Sequence, residues 1–219
     1  HNILKKKLSM AIEMKESLFY SSLLSNNQGI GKLEKLYRKG VLSVGKQLSL
    51  FFSRPLELNL TGFFFLPLSW LITNLEHTPS AEFGVHSRVT GDIKGELYLC
   101  FSRDTAMNLV TMGINKRRTV RKFFLSKLDE SLLSEITNIL INTFWSSIHE
   151  KIHTRWWLTP PVSINSVLKS IRLASKIYSL DRHVLMAEIS VFKPDLKMEL
   201  ILIPAGESLN TYLAKLNSE

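Results

Sequence analysis

Cysteine is almost missing from these 219 residues: Cys100 stands alone. One thiol excludes an intramolecular disulfide framework and any CxxC metal site, and it suits a reducing compartment. Its setting, Glu-Leu-Tyr-Leu-Cys-Phe at 96–101, reads as an apolar strand, which makes the thiol structural and buried. The six histidines are scattered, with no HExxH or paired spacing, so the chain is expected to hold neither a metal nor a cofactor. Acidic residues are also short, 19 against 28 Lys plus Arg, for a net charge of +9. The dense basic spots are Lys5-Lys6-Lys7 and Lys116-Arg117-Arg118 with Arg121-Lys122. Such clusters attract phosphate, yet no nucleic-acid-binding motif surrounds them. An acidic protein partner fits this charge better than nucleic acid does.

Charge is absent altogether from residues 58–75, which is near the lower limit for a membrane span. Asn59, Thr61, Gly62, Pro67, Ser69, Thr73 and Asn74 make the stretch too polar and too broken for hydrocarbon. A buried strand followed by a short helix after Pro67 accounts for it, so no membrane insertion is expected. No signal peptide is evident, and a cytoplasmic location is the expectation. The chain opens on His1, not Met, which suggests a processed or excised fragment. Apolar residues make up 45% and charged ones 21%, a globular composition with ample core.

Most of the chain is patterned. Residues 1 to about 25 read as a helix with a drifting apolar stripe, broken at 25–29. A long helix is expected from about Lys32 to Phe52, with Gly40 and Gly45 lowering its propensity. Residues 82–90 and 96–101 read as strands around a turn at 91–95, and Asp104 opens a helix through Met112. The same unit returns as strands at 184–192 and 198–203, then a helix at 207–216. The segment 95–110 lines up with 198–213 at an offset of 103, and the two long helices recur at about 100. An internal duplication explains both, with repeats at roughly 31–115 and 126–219. The expected fold class is α+β: a pseudo-twofold duplication with an antiparallel sheet covered by two long helices plus shorter ones.

The stretch from Ser126 to Pro161 begins as the second long helix. Ser126 caps it with Asp129 three residues on, at the positive end of the dipole. Leu132, Leu133, Ile136, Leu140 and Phe144 mark the apolar face. Ser131, Glu135, Asn138, Asn142, Ser146 and His149 fall on the opposite face, so a carboxylate and a carboxamide point outward one turn apart. On its own such a stripe is ordinarily a solvated face. The spacing Ser131-x3-Glu135-x2-Asn138, followed after 22 residues by Pro161, resembles the signature of the CheC/CheX/FliY family of chemotaxis phosphatases. Ser53-Arg54-Pro55-Leu56-Glu57-Leu58 also resembles that family's step from first helix to first strand. Against the family pattern, the first half carries Lys35 and Arg38 where a Glu and an Asn are expected. Neither cation can do the work of the group it replaces, which leaves one competent site per chain.

The resemblance implies a CheC-like domain over 31–219; residues 1–30 lie outside it and read as an added helix packed on the core, a dimerisation helix, or the last helix and linker of a preceding domain. It implies hydrolysis of the aspartyl phosphate of a CheY-like response regulator, with Mg2+ held by the receiver and not by this chain. Asn138 would position the attacking water, because a carboxamide accepts and donates at once. Glu135 would pair with the receiver lysine. Ser131 would support the helix and the glutamate, and Pro161 would shape the loop that buttresses the helix. Two departures stand out: Thr137 where Gly is common, so that its bulk either obstructs a partner or turns into the core, and Ile139-Leu140-Ile141 where small residues are usual. Trp156 and Trp157 read as core anchors or as an interface. The competing reading is a non-catalytic CheC-like scaffold, at the flagellar switch or as a partner of a CheD-type deamidase. A homodimer is implied by analogy with CheX.

Overall fold

The computed structural model describes residues 28–77, 82–114, 126–152, 155–191 and 196–218. The helix expected over residues 1–25, the basic run at 116–122 and the turn at 193–195 lie outside them. In chain order the elements are α1 (Gln28–Phe51), β1 (Leu58–Pro67), α2 (Leu68–Leu75), β2 (Phe83–Gly91), β3 (Gly95–Phe101) and α3 (Arg103–Ile114). They continue with α4 (Lys127–Ile152), β4 (Trp156–Leu158), β5 (Val162–Ile164), α5 (Val167–Ala174), β6 (His183–Val191), β7 (Leu196–Pro204) and α6 (Ser208–Ser218).

The seven strands form one antiparallel sheet in the order β1-β6-β7-β3-β2-β4, with β5 also pairing β2. Exchanging the two halves reverses this order onto itself. Tyr98 pairs with Ile201 across the central β3–β7 ladder, and these two positions correspond at the 103-residue offset. The pseudo-twofold axis therefore passes through that pair. Both faces of the sheet are covered, which is why β3, β6 and β7 are apolar nearly throughout. One core sets α1, α4, α3 and α6 against one face. A smaller core on the other face holds Leu68, Leu71 and Leu75 of α2 with Val167 and Ile171 of α5.

Local chemistry explains most of the boundaries. Ser126 accepts from the Asp129 amide at 3.3 Å while the Asp129 carboxylate accepts from the Ser126 amide at 2.8 Å, the reciprocal cap expected for α4. α1 starts at Gln28, earlier than Lys32, because Ile30 is buried and lengthens the apolar face. For α3 the cap is Ser102, whose oxygen accepts from the Thr105 amide at 3.2 Å, so the helix opens at Arg103, just ahead of the expected opening at Asp104. β1 has a register shift between Leu60 and Gly62. One extra residue reverses the alternation. Leu58 and Leu60 face the long helices before the bulge, and Phe63 does so after it, which frees Leu66 for the second core.

α1 and α4 lie side by side on the same face of the sheet and come close where Gly40 meets Phe144: a Cβ at residue 40 would sit 2.8 Å from the Phe144 ring. Tyr37 holds that ring edge-on, with centroids 5.0 Å apart. At the 100-residue helix offset the pseudo-twofold carries the Gly40–Phe144 contact onto Val44–Leu140, so the two helices run antiparallel.

Candidate functional site

On α4 the sequence pattern and the fold agree about which side faces out. Leu133, Ile136, Leu140, Ile141, Phe144, Trp145 and Ile148 are buried. Ser131, Glu135, Asn138, Asn142, Ser146 and His149 are exposed. Glu135 and Asn138 stand about one helical turn apart on this outer face. The Glu135 carboxylate has no ion-pair partner among the described residues. The Asn142 carboxamide donates to Asn138 Oδ1 at 2.7 Å. That bond takes one lone pair of the Asn138 oxygen and leaves the other, with both N–H donors, for a reacting partner.

Ser131 is exposed one turn before Glu135, and its hydroxyl has no partner among the described residues. Pro161 lies between β4 and β5, both of which pair with β2 at the sheet's edge. Pro160 and Pro161 cannot donate to a ladder, so pairing with β2 breaks there and resumes at Val162. Thr137 turns into the core: it is fully buried, and its hydroxyl donates to the carbonyls of Leu133 at 2.9 Å and Ser134 at 3.0 Å. The site's outer face therefore meets no bulk from this residue.

The tryptophan pair divides its roles. Trp156 is buried against Trp145, with ring centroids 4.2 Å apart, and Trp157 is 61% exposed. Together with Asn142, Ser146 and His149 they line a groove of about 430 Å³ that continues the Asn138 face toward the edge strand β4. The sequence pattern puts His149 and Asn142 on this face and assigns them no role. The groove depends on packing between α4 and a three-residue strand, for which the local sequence carries no periodic signal. A larger recess of about 510 Å³ lies between β2, α3 and the first turns of α4, with Arg103 and Glu130 at its mouth. None of the four motif residues lines it.

In the first half, Lys35 and Arg38 stand exposed on α1 in the positions that correspond to Glu135 and Asn138. Arg38 is held by Glu34 Oε1 at 3.0 Å and by the Leu60 carbonyl at 3.3 Å. This half presents guanidinium and ammonium where the other presents carboxamide and carboxylate. The described residues contain no group of three or more His, Cys, Asp or Glu side chains able to hold a metal ion, and no described helix is long and apolar enough to cross a membrane.

No protein-family model matches the sequence, and no curated protein matches it. Solved structures do match. FliY of Thermotoga maritima is 13% identical, covers 84% of this chain and 93% of its own, and superposes with a TM-score of 0.66. The FliM middle domain of H. pylori is 13% identical over 86% and 98%, at 0.65. The FliM middle domain of Vibrio alginolyticus is 12% identical over 84% and 99%, at 0.61. At such identities the likeness concerns the fold, and it spans nearly the whole of each neighbour. The chain folds as a CheC/CheX/FliY-type domain, the architecture it shares with FliY and the FliM middle domain.

Proposed function

We propose that this protein is a chemotaxis-type phosphatase that hydrolyses the aspartyl phosphate of a CheY-like receiver domain. The observation that carries the reading is the pair Glu135 and Asn138, exposed one turn apart on a helix whose opposite face is buried. The receiver brings the acyl phosphate, its Mg2+ and a lysine. Asn138 Oδ1 accepts a hydrogen bond from the attacking water while its amide donates to a phosphoryl oxygen, which aligns the water with the scissile bond. The water oxygen bonds to phosphorus, the P–O bond to the aspartyl carboxylate breaks, and the water proton leaves with inorganic phosphate. Glu135 pairs with the receiver lysine and sets the docking register. Ser131 and Pro161 support α4 and the adjoining edge of the sheet. The chemistry is positioning, so it asks no displaced pKa of this chain and suits a cytoplasmic signalling protein.

The two roles separate kinetically. Glu135→Ala is expected to raise KM for the phosphorylated receiver with kcat little changed, and Asn138→Ala to lower kcat with KM little changed. Equal effects of both on KM alone would assign the pair to binding and not to chemistry.

A second reading rests on the cationic first half and on the likeness to FliM. One FliM structure is a complex with FliG and another a complex with SpeE. Under that reading this chain is a scaffold at the flagellar switch, or the partner of a CheD-type protein, and the α4 face only binds. A homodimer is compatible with either function. Release of phosphate by the intact chain decides between them.

A further inference from the structure

The outer face of α1 is built of Lys35, Arg38, Lys39, Leu42, Lys46 and Leu50, all exposed. Glu34 is the one acid on this helix, and Arg38 takes it. Lys32 closes the end of α6 by donating to the Leu216 carbonyl at 2.6 Å. Lys35, Lys39 and Lys46 have no hydrogen bond or ion pair among the described residues. Lys35 and Lys39 are like charges four residues apart, an arrangement that weakens a helix by itself. Nothing among the described residues uses these three cations.

Their placement gives them a use. α1 and α4 run antiparallel on one sheet face, and from the Gly40–Phe144 contact equal steps bring Leu42 level with Asn142 and Lys46 level with Asn138. Packed helix axes lie about 8–10 Å apart. A stably docked protein covers about 800 Å² per partner, a patch about 28 Å across. A domain centred on Glu135 and Asn138 therefore also covers Lys46 and Leu42, reaches Lys39 at its edge and leaves Lys35 within about a Debye length of the contact. Leu42, 53% exposed between the lysines, gives that footprint an apolar contact.

We propose that the cationic stripe Lys35, Lys39 and Lys46 is the electrostatic wall of the docking surface, and that it engages the acidic surface around the receiver's aspartyl phosphate. The inference rests on the phosphatase reading of Glu135 and Asn138. A phosphoryl group and the carboxylates that hold a divalent cation make that surface negative in any phosphorylated receiver. Hydrated lysine ammonium groups act there as point charges that raise encounter rates and favour the phosphorylated over the unphosphorylated form. The half-site that lost its chemistry became the half that attracts the partner.

The test compares two double variants with the same change in net charge: Lys39→Glu with Lys46→Glu on the stripe, and Lys169→Glu with Lys176→Glu, exposed on α5 and just past its end on the opposite side of the sheet. KM and kcat for a phosphorylated receiver are measured at low and high salt, with affinity for the same receiver measured in parallel. The stripe variant is expected to raise KM on the order of 10–100-fold at low salt with kcat within about twofold, and the α5 variant to stay within about twofold of the parent. At about 1 M salt, where screening acts within about 3 Å, the difference should collapse. Equal KM values for the two variants overturn the proposal. So does a stripe variant that loses binding to a DNA duplex and keeps its receiver KM. If the intact chain binds the receiver but releases no phosphate, the catalytic reading fails while the affinities still judge the stripe. If the intact chain binds no phosphorylated receiver, both fail.

Discussion

Two glycines on α1 separate helix propensity from packing. Among the described residues a Cβ on Gly31 meets nothing within 4 Å, whereas a Cβ on Gly40 meets Phe144 at 2.8 and 3.0 Å. The Phe144 ring is fully buried and braced edge-on by Tyr37, so it has little room to retreat. Gly31→Ala should stabilise the protein by up to about 1 kcal/mol, the usual gain for alanine over glycine inside a helix. Gly40→Ala carries the same gain and also an overpacking cost of about 1–3 kcal/mol. The propensity term cancels between the variants, so their difference reads the helix–helix contact alone: Gly40→Ala should be less stable than Gly31→Ala by about 1–3 kcal/mol. For a domain of this size each kcal/mol moves Tm by about 2–4 °C. Urea unfolding with unchanged slope is the assay, since a change in midpoint alone reports stability. Equal midpoints for the two variants would refute the close approach of α1 and α4, and with it the side-by-side faces on which the docking surface depends.

Thr137→Gly should cost about 2 kcal/mol, from lost helix propensity and a buried methyl, and leave phosphate release unchanged; faster release would mean that Thr137 obstructs docking. Glu96, on β3, meets His86 Nε2 at 2.6 Å and Arg88 Nε at 3.4 Å. Burial pushes its carboxyl up, but His86 and Arg88 together outweigh burial and hold it below its ordinary value. A depressed pKa contributes stability above the unfolded value, about 4.3, and loses it as pH falls through the folded value. Glu96→Gln should therefore be less stable than the parent by about 1 kcal/mol at pH 7, with the gap closing below about pH 4 in urea titrations; a gap that persists in acid would place the effect elsewhere.

What could be read in the sequence was whatever lies in short-range pattern. The Ser126–Asp129 cap and the apolar face of α4 are local, so the helix and the exposure of Glu135 and Asn138 were both legible. The duplication was legible because equivalent strands kept similar residues at one offset, and it makes the sheet order read the same from either edge; the order itself is set by long-range pairing. β4 and β5 were not: three residues each give no alternation, and the break between them is set by Pro160-Pro161. α5 left a usable signal, with Val167, Ile171 and Ala174 buried at helical spacing behind the Ser166 cap, which accepts from the Lys169 amide at 3.3 Å. For Thr137 the sequence left obstruction and burial open, and its two backbone hydrogen bonds decide for burial. The pairing of Trp145 with Trp156 and the docking of α1 on α4 are long-range, and no local spacing encodes them.

The most direct test of a single competent half-site is release of inorganic phosphate from a phosphorylated CheY-type receiver with Mg2+, comparing the intact chain with Asn138→Ala. The account predicts that the intact chain accelerates release and that Asn138→Ala loses the acceleration while still binding the receiver. An Asn138→Ala variant that releases phosphate as fast as its parent would contradict it.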